Sequence, residues 1–252
     1  MHKFFVPSDN IQENTVYIEG EDVKHIYKVL RLNVGDTINV NNCKGTEYEV
    51  KINDINKKVV SGEIIKKIDI NNESPLNIYL YQGLPKSTKM DFIVQKGTEL
   101  GIKEVIPIIT KRVVVKGDLK EFKKLDRWNR IALESCKQCK RSFIPKVRTP
   151  ITFEELIENI KLMDLILVPY ENKENYGIKK VMEYVAGQKD KIKNIAIIIG
   201  PEGGFEEEEI NILESLKAHI ITLGPRIFRT ETAGIICSTI ISYELGDLGG
   251  SL

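Results

Sequence analysis

Residues 197–205, IIIGPEGGF, join an apolar run to a glycine-rich turn. The isoleucines end at Gly200, and four glutamates, Glu206–Glu209, follow Phe205. Acidic residues suit the first turn of a helix because they interact favourably with the helix dipole. The apolar run is typical of a strand that is buried on both faces of a parallel sheet. The stretch therefore predicts a strand, a tight turn and a helix.

The chain around this stretch alternates strand and helix patterns from Pro75 onward. The predicted strands are LNIYLYQ, KEVIPIIT, LMDLILVP, NIAIIIG and HIITLG, and helices are predicted from Lys89 to Leu100, from about Asp118 to Arg141 and from Thr230 to Leu245. Such alternation indicates an α/β domain with a parallel sheet, in which ligands bind at the carboxyl ends of the strands. Strands that end at Val168-Pro169, Gly200-Pro201 and Gly224-Pro225 are expected to bring three loops to one edge.

The first 68 residues have a different pattern. Short runs rich in Val, Ile and Tyr, namely KFFV, TVYIE, TINVN, EYEVKIND and KVVSGEIIKKI, predict the strands of a small β-barrel-like domain. One helix, EDVKHIYKVLR, interrupts them and is expected to place Val23, Ile26, Val29 and Leu30 on one face. Residues 71–75, NNESP, are a predicted linker.

Composition describes an ordinary globular chain of 252 residues, 42% of them hydrophobic. No apolar stretch approaches the length of a membrane span, and the N-terminus has no secretory signal pattern, so a cytoplasmic protein is expected. The four cysteines are unevenly spaced, which argues against a disulfide scaffold. Cys136 and Cys139 have metal-ligand spacing but lack a second pair, so no metal site is expected.

Charge is unevenly distributed although the net charge is only +1. Residues 111–148 contain thirteen Lys and Arg against four Asp and Glu. Such a block is either a solvated helix face or a surface that contacts phosphates. Charge alone does not decide between these two interpretations.

The GPEGG turn does not match the common nucleotide-binding loops. Its glycines lack the spacing of the dinucleotide fingerprint, and no Gly-Lys-Ser/Thr sequence follows as in a P-loop. The carboxylate of Glu202 would repel a pyrophosphate. A ligand with a positive centre or with amine and hydroxyl donors fits better.

A second stretch, LGPRIFRTETA at 223–233, opens the last predicted helix. Thr230, Glu231 and Thr232 are consistent with ordinary N-cap chemistry. Arg226 and Arg229 are not, because arginine at a helix N-terminus opposes the helix dipole. These two arginines therefore indicate a functional role for this turn.

Four motifs in order, KMDFIVQKGTELG, SCKQCKR followed by Ile144-Pro145, IGPEGGFEEEE and LGPRIFRTETA, closely resemble the RsmE family, and HIYKVLRLNVGD resembles its first domain. The resemblance implies an S-adenosylmethionine-dependent enzyme that methylates N3 of a specific uridine in 16S ribosomal RNA. It also implies a homodimer and two domains. Residues 1–72 would form a PUA-like RNA-binding β-barrel, and residues 73–252 an α/β SPOUT-type domain with a trefoil knot and a parallel sheet.

The motifs and the resemblance together give candidate site residues. The catalytic candidates are Arg229, which would stabilise the uridine anion, and Glu231, which would orient that arginine or accept the proton; Glu202 is the other carboxylate expected within reach. The cofactor-binding candidates are Leu167, Val168, Ile199, Gly200, Pro201, Glu202, Gly203, Leu223, Gly224, Ile227, Phe228 and Thr232. The RNA-binding candidates are Lys28, Arg31, Arg112, Gln138 and Arg141. Gly200, Gly203 and Gly224 are expected where a Cβ would fill the space of the ligand.

Two other functions remain open from the sequence. One is a non-catalytic RNA-binding protein that has kept the methyltransferase fold. The other is a nucleotide-binding oxidoreductase, which the absence of a dinucleotide fingerprint disfavours.

Overall fold

The computed structural model describes residues 2–69, 72–113 and 120–250, with the side chains of 120–123 excepted. The chain divides into two compact units. The first comprises Met1–Glu73 and Cys136–Ile144, and the second comprises Ser74–Ser135 and Pro145–Leu252. The predicted helix start near Asp118 and Asn71 of the predicted linker lie outside the described residues.

The first unit is built on a six-stranded sheet. Its strands are β1 (Lys3–Phe5), β2 (Ile11–Gln12), β3 (Thr15–Glu19), β4 (Thr37–Asn41), β5 (Glu47–Ile55) and β6 (Val59–Ile68), in the order β1-β4-β5-β6-β3-β2. β3 and β4 have the predicted bounds. Alternate residues such as Ile38 and Val40 point into one apolar core, which is the period-2 pattern that the sequence shows.

The helix of this unit changes its winding. α1 (Glu21–Lys24) continues as a π-helical turn, His25–Val29, in which the Leu30 N–H donates to the His25 carbonyl at 2.9 Å. A π turn holds more residues than an α turn and rotates the side chains that follow it. Val23 and Ile26 are buried as predicted, but Val29 is 66% exposed, so its predicted place on the same face is wrong.

Residues 136–144 belong to the first unit through Glu73. One carboxylate oxygen of Glu73 accepts hydrogen bonds from Arg141 Nε at 3.0 Å and Nη2 at 2.8 Å. The other accepts the backbone N–H groups of Ser142 and Phe143 at 2.7 and 2.8 Å. Only 4% of the Arg141 side chain is exposed, so this pair is a folding contact that joins distant parts of the chain.

The second unit contains a parallel sheet of seven strands. They are β7 (Asn77–Gly83), β8 (Glu104–Ile109), β9 (Lys146–Val147), β10 (Ile151–Thr152), β11 (Leu165–Pro169), β12 (Asn194–Ile199) and β13 (His219–Ile221), in the order β10-β8-β7-β12-β11-β13 with β9 paired to β8. The described pairings are all parallel, which confirms the predicted α/β class.

Helices connect these strands. They are α2 (Lys89–Glu99), α3 (Lys120–Cys139, whose last turn belongs to the first unit), α4 (Phe153–Ile160), α5 (Ile178–Tyr184), α6 (Glu207–Ser215) and α7 (Thr230–Leu245). α7 has the predicted bounds and packs closely on β7 and β12, because a Cβ at Gly234 would lie 3.3 Å from Leu80 and 3.5 Å from Ile199. Within the described ranges, no helix has the length and apolarity of a membrane span.

Replacing Glu73 by alanine is expected to destabilise the protein. The change removes the acceptor of four hydrogen bonds, two of them from a buried guanidinium, and hydrogen bonds to charged groups contribute about 1.5–3 kcal/mol each. We expect the free energy of unfolding in urea to fall by about 2 kcal/mol or more. Glu63→Ala is the matched control in the same unit, because Glu63 is exposed and accepts one hydrogen bond, from Asn14 at 3.3 Å. Equal losses in both variants would contradict the assignment.

Candidate functional site

The loops that follow β11, β12 and β13 enclose one cavity of about 1070 Å³. Its wall comes from residues within 169–177, 199–205 and 222–230, together with Lys89 of α2 and Ala233 of α7. Because parallel strands end at the same edge of the sheet, three loops meet there, as the sequence predicted.

Eight of the twelve predicted cofactor-binding residues line this cavity: Ile199, Gly200, Pro201, Glu202, Leu223, Gly224, Ile227 and Phe228. Leu167 and Val168 are fully buried in β11. Gly203 and Thr232 lie outside the described wall. The wall also includes Lys89 and Glu171, which the sequence did not assign to the site, and Thr230, which it marked only as a capping residue.

The glycines of the loops serve the loops themselves. A Cβ at Gly203 would lie 3.1 Å from Arg112 Cβ, and one at Gly200 would lie 3.2 Å from the Phe205 ring. Gly224 has open space around it, but its φ of +118° is a conformation that side chains rarely adopt. Close packing thus accounts for Gly200 and Gly203, and backbone conformation accounts for Gly224. The expectation that a Cβ at these positions would also fill ligand space stays a prediction.

Arg112 holds the GPEGG turn. Its Nη1 donates to the Gly203 carbonyl at 3.0 Å, and Nε and Nη2 donate to the Glu206 carboxylate at 2.9 and 3.0 Å. The hydrogen bond from Arg112 lowers the pKa of Glu206, which is the N-cap residue of α6. The guanidinium predicted to contact RNA is thus engaged within the protein, which argues against that role for Arg112.

Thr230 joins three elements at the edge of the sheet. Its hydroxyl donates to the Gly200 carbonyl at 2.6 Å and accepts from Gln82 Nε2 at 2.7 Å. Gln82 is fully buried in β7, and its Nε2 also donates to the Gly83 carbonyl. The predicted N-cap role of Thr230 is wrong, because Arg229 occupies the N-cap position and the threonine hydroxyl faces the sheet instead.

Arg229 is exposed and lines the cavity. Its carbonyl accepts the N–H groups of Thr232 and Ala233, both at 2.9 Å, which begins α7. Its guanidinium makes no hydrogen bond or ion pair with any residue that the structure describes. The backbone of Arg229 therefore serves the fold, and its side chain is available to a ligand.

Lys89 connects the two carboxylates that the sequence offered as reactive groups. Its Nζ lies 2.9 Å from Glu202 Oε1 and 3.3 Å from Glu231 Oε2. Burial would raise the pKa of Glu202, but the hydrogen bonds from Lys89 and from the backbone N–H of Lys86 outweigh it, so that pKa is lowered. Sequence reasoning missed Lys89. The sequence feature that could have identified it is a lysine at the first position of a predicted helix, where a cation opposes the helix dipole.

The candidate RNA contacts differ in their surroundings. Lys28, Arg31 and Gln138 are exposed, and Lys28 Nζ lies 5.7 Å from the centroid of the Tyr27 ring. Arg141 is buried against Glu73, which argues against a phosphate contact. Within the described part of the basic block, the cations that contact carboxylates include Lys111, Arg112, Arg127, Lys137, Arg141 and Arg148. The block is therefore less open to phosphates than its composition suggests.

The cysteines are free thiols. Burial raises the pKa of Cys136 and of Cys237 to about 12 in each case, which disfavours the reactive thiolate. Among residues 2–69, 72–113 and 120–250, no group of three or more His, Cys, Asp or Glu is arranged to hold a metal ion.

Replacing Thr230 by valine is expected to weaken the edge of the sheet. Valine has nearly the same shape but leaves the Gly200 carbonyl and the buried Gln82 amide each short of a partner, which costs about 1–3 kcal/mol. The measurement is the free energy of unfolding in urea. The control is Thr239→Val in the same helix, because the Thr239 hydroxyl donates to the Ile235 carbonyl of its own helix. An equal effect of the two changes would refute this role for Thr230.

Comparison with known proteins identifies the relatives of this chain. The profile of the RNA methyltransferase domain matches residues 72–242, and that of the RNA methyltransferase PUA domain matches residues 18–65. The ribosomal RNA small subunit methyltransferase E of Bacillus subtilis is 35% identical over 254 residues, which cover 99% of each chain. The enzyme of the same name from Mesomycoplasma hyopneumoniae is 37% identical over 95% of this chain and 98% of its own.

A solved structure agrees with these matches. The ribosomal RNA small subunit methyltransferase E from Neisseria gonorrhoeae, bound to S-adenosyl methionine, superposes with a TM-score of 0.83 at 29% identity and covers 98% of this chain and 99% of its own. The predicted fold class, a SPOUT-type α/β domain preceded by a PUA-like domain, is confirmed. The chain belongs to the RsmE family of small-subunit ribosomal RNA methyltransferases.

Proposed function

We propose that this protein transfers a methyl group from S-adenosylmethionine to N3 of a specific uridine in small-subunit ribosomal RNA. The observation that carries the proposal is the exposed guanidinium of Arg229, which no described residue binds, in the wall of the three-loop cavity. The homologous protein from Neisseria gonorrhoeae was solved with S-adenosyl methionine. Membership of the family supports the reaction class, and the chemistry of the wall supports the cofactor and the base.

The wall of the cavity fits S-adenosylmethionine. Apolar side chains of Ile199, Leu223 and Phe228 suit the adenine ring, and the carboxylates of Glu171 and Glu202 suit an amine or a sulfonium. When bound, this cofactor supplies a methyl group that is already a strong electrophile. The protein therefore needs to hold and orient both partners rather than activate the methyl group.

Uridine N3 carries an imide proton and becomes nucleophilic when that proton leaves. The resulting negative charge spreads onto the two carbonyl oxygens beside N3. The planar guanidinium of Arg229 can donate hydrogen bonds to one of these oxygens and stabilise the anion while the N3 edge stays open to the methyl group. The Glu231 carboxylate, in the first turn of α7, is our candidate to accept the proton. The proposal further gives Lys28, Arg31 and Gln138 contacts to the RNA.

The function is tested by incubating the protein and S-adenosylmethionine with unmodified small subunits or their RNA and identifying the modified nucleoside by mass spectrometry. We expect 3-methyluridine. Methylation of another base or atom would overturn the assignment of N3, and no methylation of either substrate despite cofactor binding would favour a non-catalytic RNA-binding protein.

Arg229→Ala is expected to lower the single-turnover rate by roughly 10²-fold or more, the loss typical of one preorganised electrostatic donor. Cofactor affinity, measured by calorimetry, should stay within a few-fold of wild type. Arg229→Lys should restore only part of the rate, because an ammonium lacks the fork of donors. A wild-type rate in Arg229→Ala would mean that other groups hold the anion.

We also propose that two copies of the chain associate through α2 and α7. α7 is apolar around much of its circumference: Cys237 and Ile241 are buried on the sheet, while Tyr243 is 65% exposed. On α2, which packs beside α7, Phe92 is 45% exposed. A helix that is apolar on its outer side usually packs against a partner.

Light scattering is expected to give about twice the 28.7 kDa mass of the chain. The double substitution Phe92→Glu with Tyr243→Glu should shift the species towards 28.7 kDa, because it places charge in the proposed interface. Leu162→Glu, at a residue 81% exposed elsewhere in the second unit, is the control. A wild-type protein that remains monomeric at micromolar concentration would refute the dimer.

A further inference from the structure

Lys89 occupies a position that helix chemistry alone does not favour. It is the first residue of α2, whose N-cap residue, Thr88, makes no side-chain capping bond. A cation at this end of a helix opposes the dipole at a cost of about 0.3–1 kcal/mol. The side chain nevertheless reaches the cavity wall and is 28% exposed. Its position therefore needs a reason outside the helix.

The reason lies in two carboxylates from separate segments. Glu202 belongs to the turn after β12, and Glu231 belongs to the first turn of α7. Lys89 Nζ lies 2.9 Å from the first and 3.3 Å from the second. The hydrogen bond to Glu202 raises the pKa of Lys89, so the ammonium stays charged between them. One cation thus ties the start of α2 to both loops.

Glu231 depends on Lys89 for its orientation. Its Oε2 atom is buried and accepts no hydrogen bond from the residues that the structure describes. The contact that holds this atom is the ion pair with Lys89. The side chain as a whole retains 15% exposure. One end of the carboxylate is therefore held towards Lys89, which lines the cavity wall, whereas Glu231 itself is not among the residues of that wall. Glu202, by contrast, also accepts the backbone N–H of Lys86 at 3.0 Å.

We propose that Lys89 is a positioning residue for methyl transfer, which orients the Glu231 carboxylate towards the target base and locks Glu202 beside it. This inference rests on the proposed function, in which Glu231 accepts the proton of the imide. The alternative is that Lys89 merely stabilises the packing of α2 against the two loops.

The expected sizes of the two effects favour a positioning role for Lys89 over a role in stabilising the fold. Lys89 and both carboxylates are partly exposed, and ion pairs of this kind contribute about 0–1 kcal/mol to stability. That gain is comparable to the cost of placing a cation at the helix start. A reacting group displaced by about 1 Å can, by contrast, slow catalysis by about 10²-fold. Loss of Lys89 should therefore affect the rate far more than the stability.

The test compares Lys89→Met, Lys89→Arg and the control Lys96→Met. Lys96 lies on the same helix, is similarly exposed and pairs with Glu99 within the helix. Melting temperature, cofactor affinity and single-turnover methylation at saturating cofactor are measured on the same preparations. We expect Lys89→Met to slow methylation by about 10-fold or more, with the melting temperature and cofactor affinity near wild type. Lys89→Arg should recover most of the rate, and Lys96→Met should behave as wild type.

A double-mutant cycle with Glu231→Gln separates the two explanations. If Lys89 acts through Glu231, the double variant is about as slow as the slower single variant, because the second change removes nothing further. Multiplicative losses, or a rate loss that tracks a fall in melting temperature, would overturn the positioning role.

Methylation by the wild-type protein distinguishes a failure of this inference from a failure of the proposed function on which it rests. A wild-type protein that transfers no methyl group overturns the proposed function together with this role for Lys89. An active wild type with an equally active Lys89→Met overturns the role of Lys89 alone.

Discussion

The hydroxyl of Thr230, set between the Gly200 carbonyl and the Gln82 amide, is the contact on which the cavity depends. A parallel sheet ends in carbonyl groups whose neighbours no longer supply donors, and a buried polar atom without a partner is costly. Gln82 is fully buried on β7 and brings such an atom to this edge. One threonine at the start of α7 bonds both the Gly200 carbonyl and Gln82 Nε2, which fixes the helix relative to β7 and β12.

The charged contacts around this edge determine geometry more than stability. Arg112 holds Gly203 and Glu206, and Lys89 holds Glu202 and Glu231, in partly exposed positions. Exposed ion pairs contribute about 0–1 kcal/mol each, which is small beside the apolar packing of the sheet. Their consequence is that a glycine-rich turn, free to adopt many conformations, is held in one arrangement. The Gly203 position shows this best, since Arg112 both packs on it and binds its carbonyl.

Periodicity and turn chemistry predicted the elements well and the side-chain partners poorly. β3, β4 and α7 begin and end at the predicted residues because local patterns determine them. The π-helical turn at His25–Val29 was not predicted, because the apolar spacing of this segment also fits an ordinary α-helix. The inclusion of Cys136–Ile144 in the first unit could not be predicted from local sequence either. It depends on hydrogen bonds to Glu73, which lies more than sixty residues earlier in the chain.

The sequence predicted where the candidate site lies in the fold, but only some of the contacts between its side chains. Strand order brings the three loops together, and strand patterns are readable in the sequence. Which arginine is engaged and which is available is decided by partners far along the chain. Arg112, Arg141 and Arg229 look alike in the sequence, yet the first binds Glu206, the second binds Glu73, and the third makes no recorded pair with the described residues.

α2 and α7 both begin with a cation at the N-terminus, where the helix dipole disfavours it, but only one of the two cations is paired with carboxylates of the described residues. Lys89 and Arg229 each place a cation where the dipole disfavours it, and both side chains line the cavity. Carboxylates within 3.3 Å offset the charge of Lys89. No carboxylate among the described residues does so for Arg229, so its charge remains for an anion that enters from outside. In the proposed reaction, negative charge develops on uridine oxygens in the transition state, and this charge would be such an anion at the step where stabilisation accelerates the reaction.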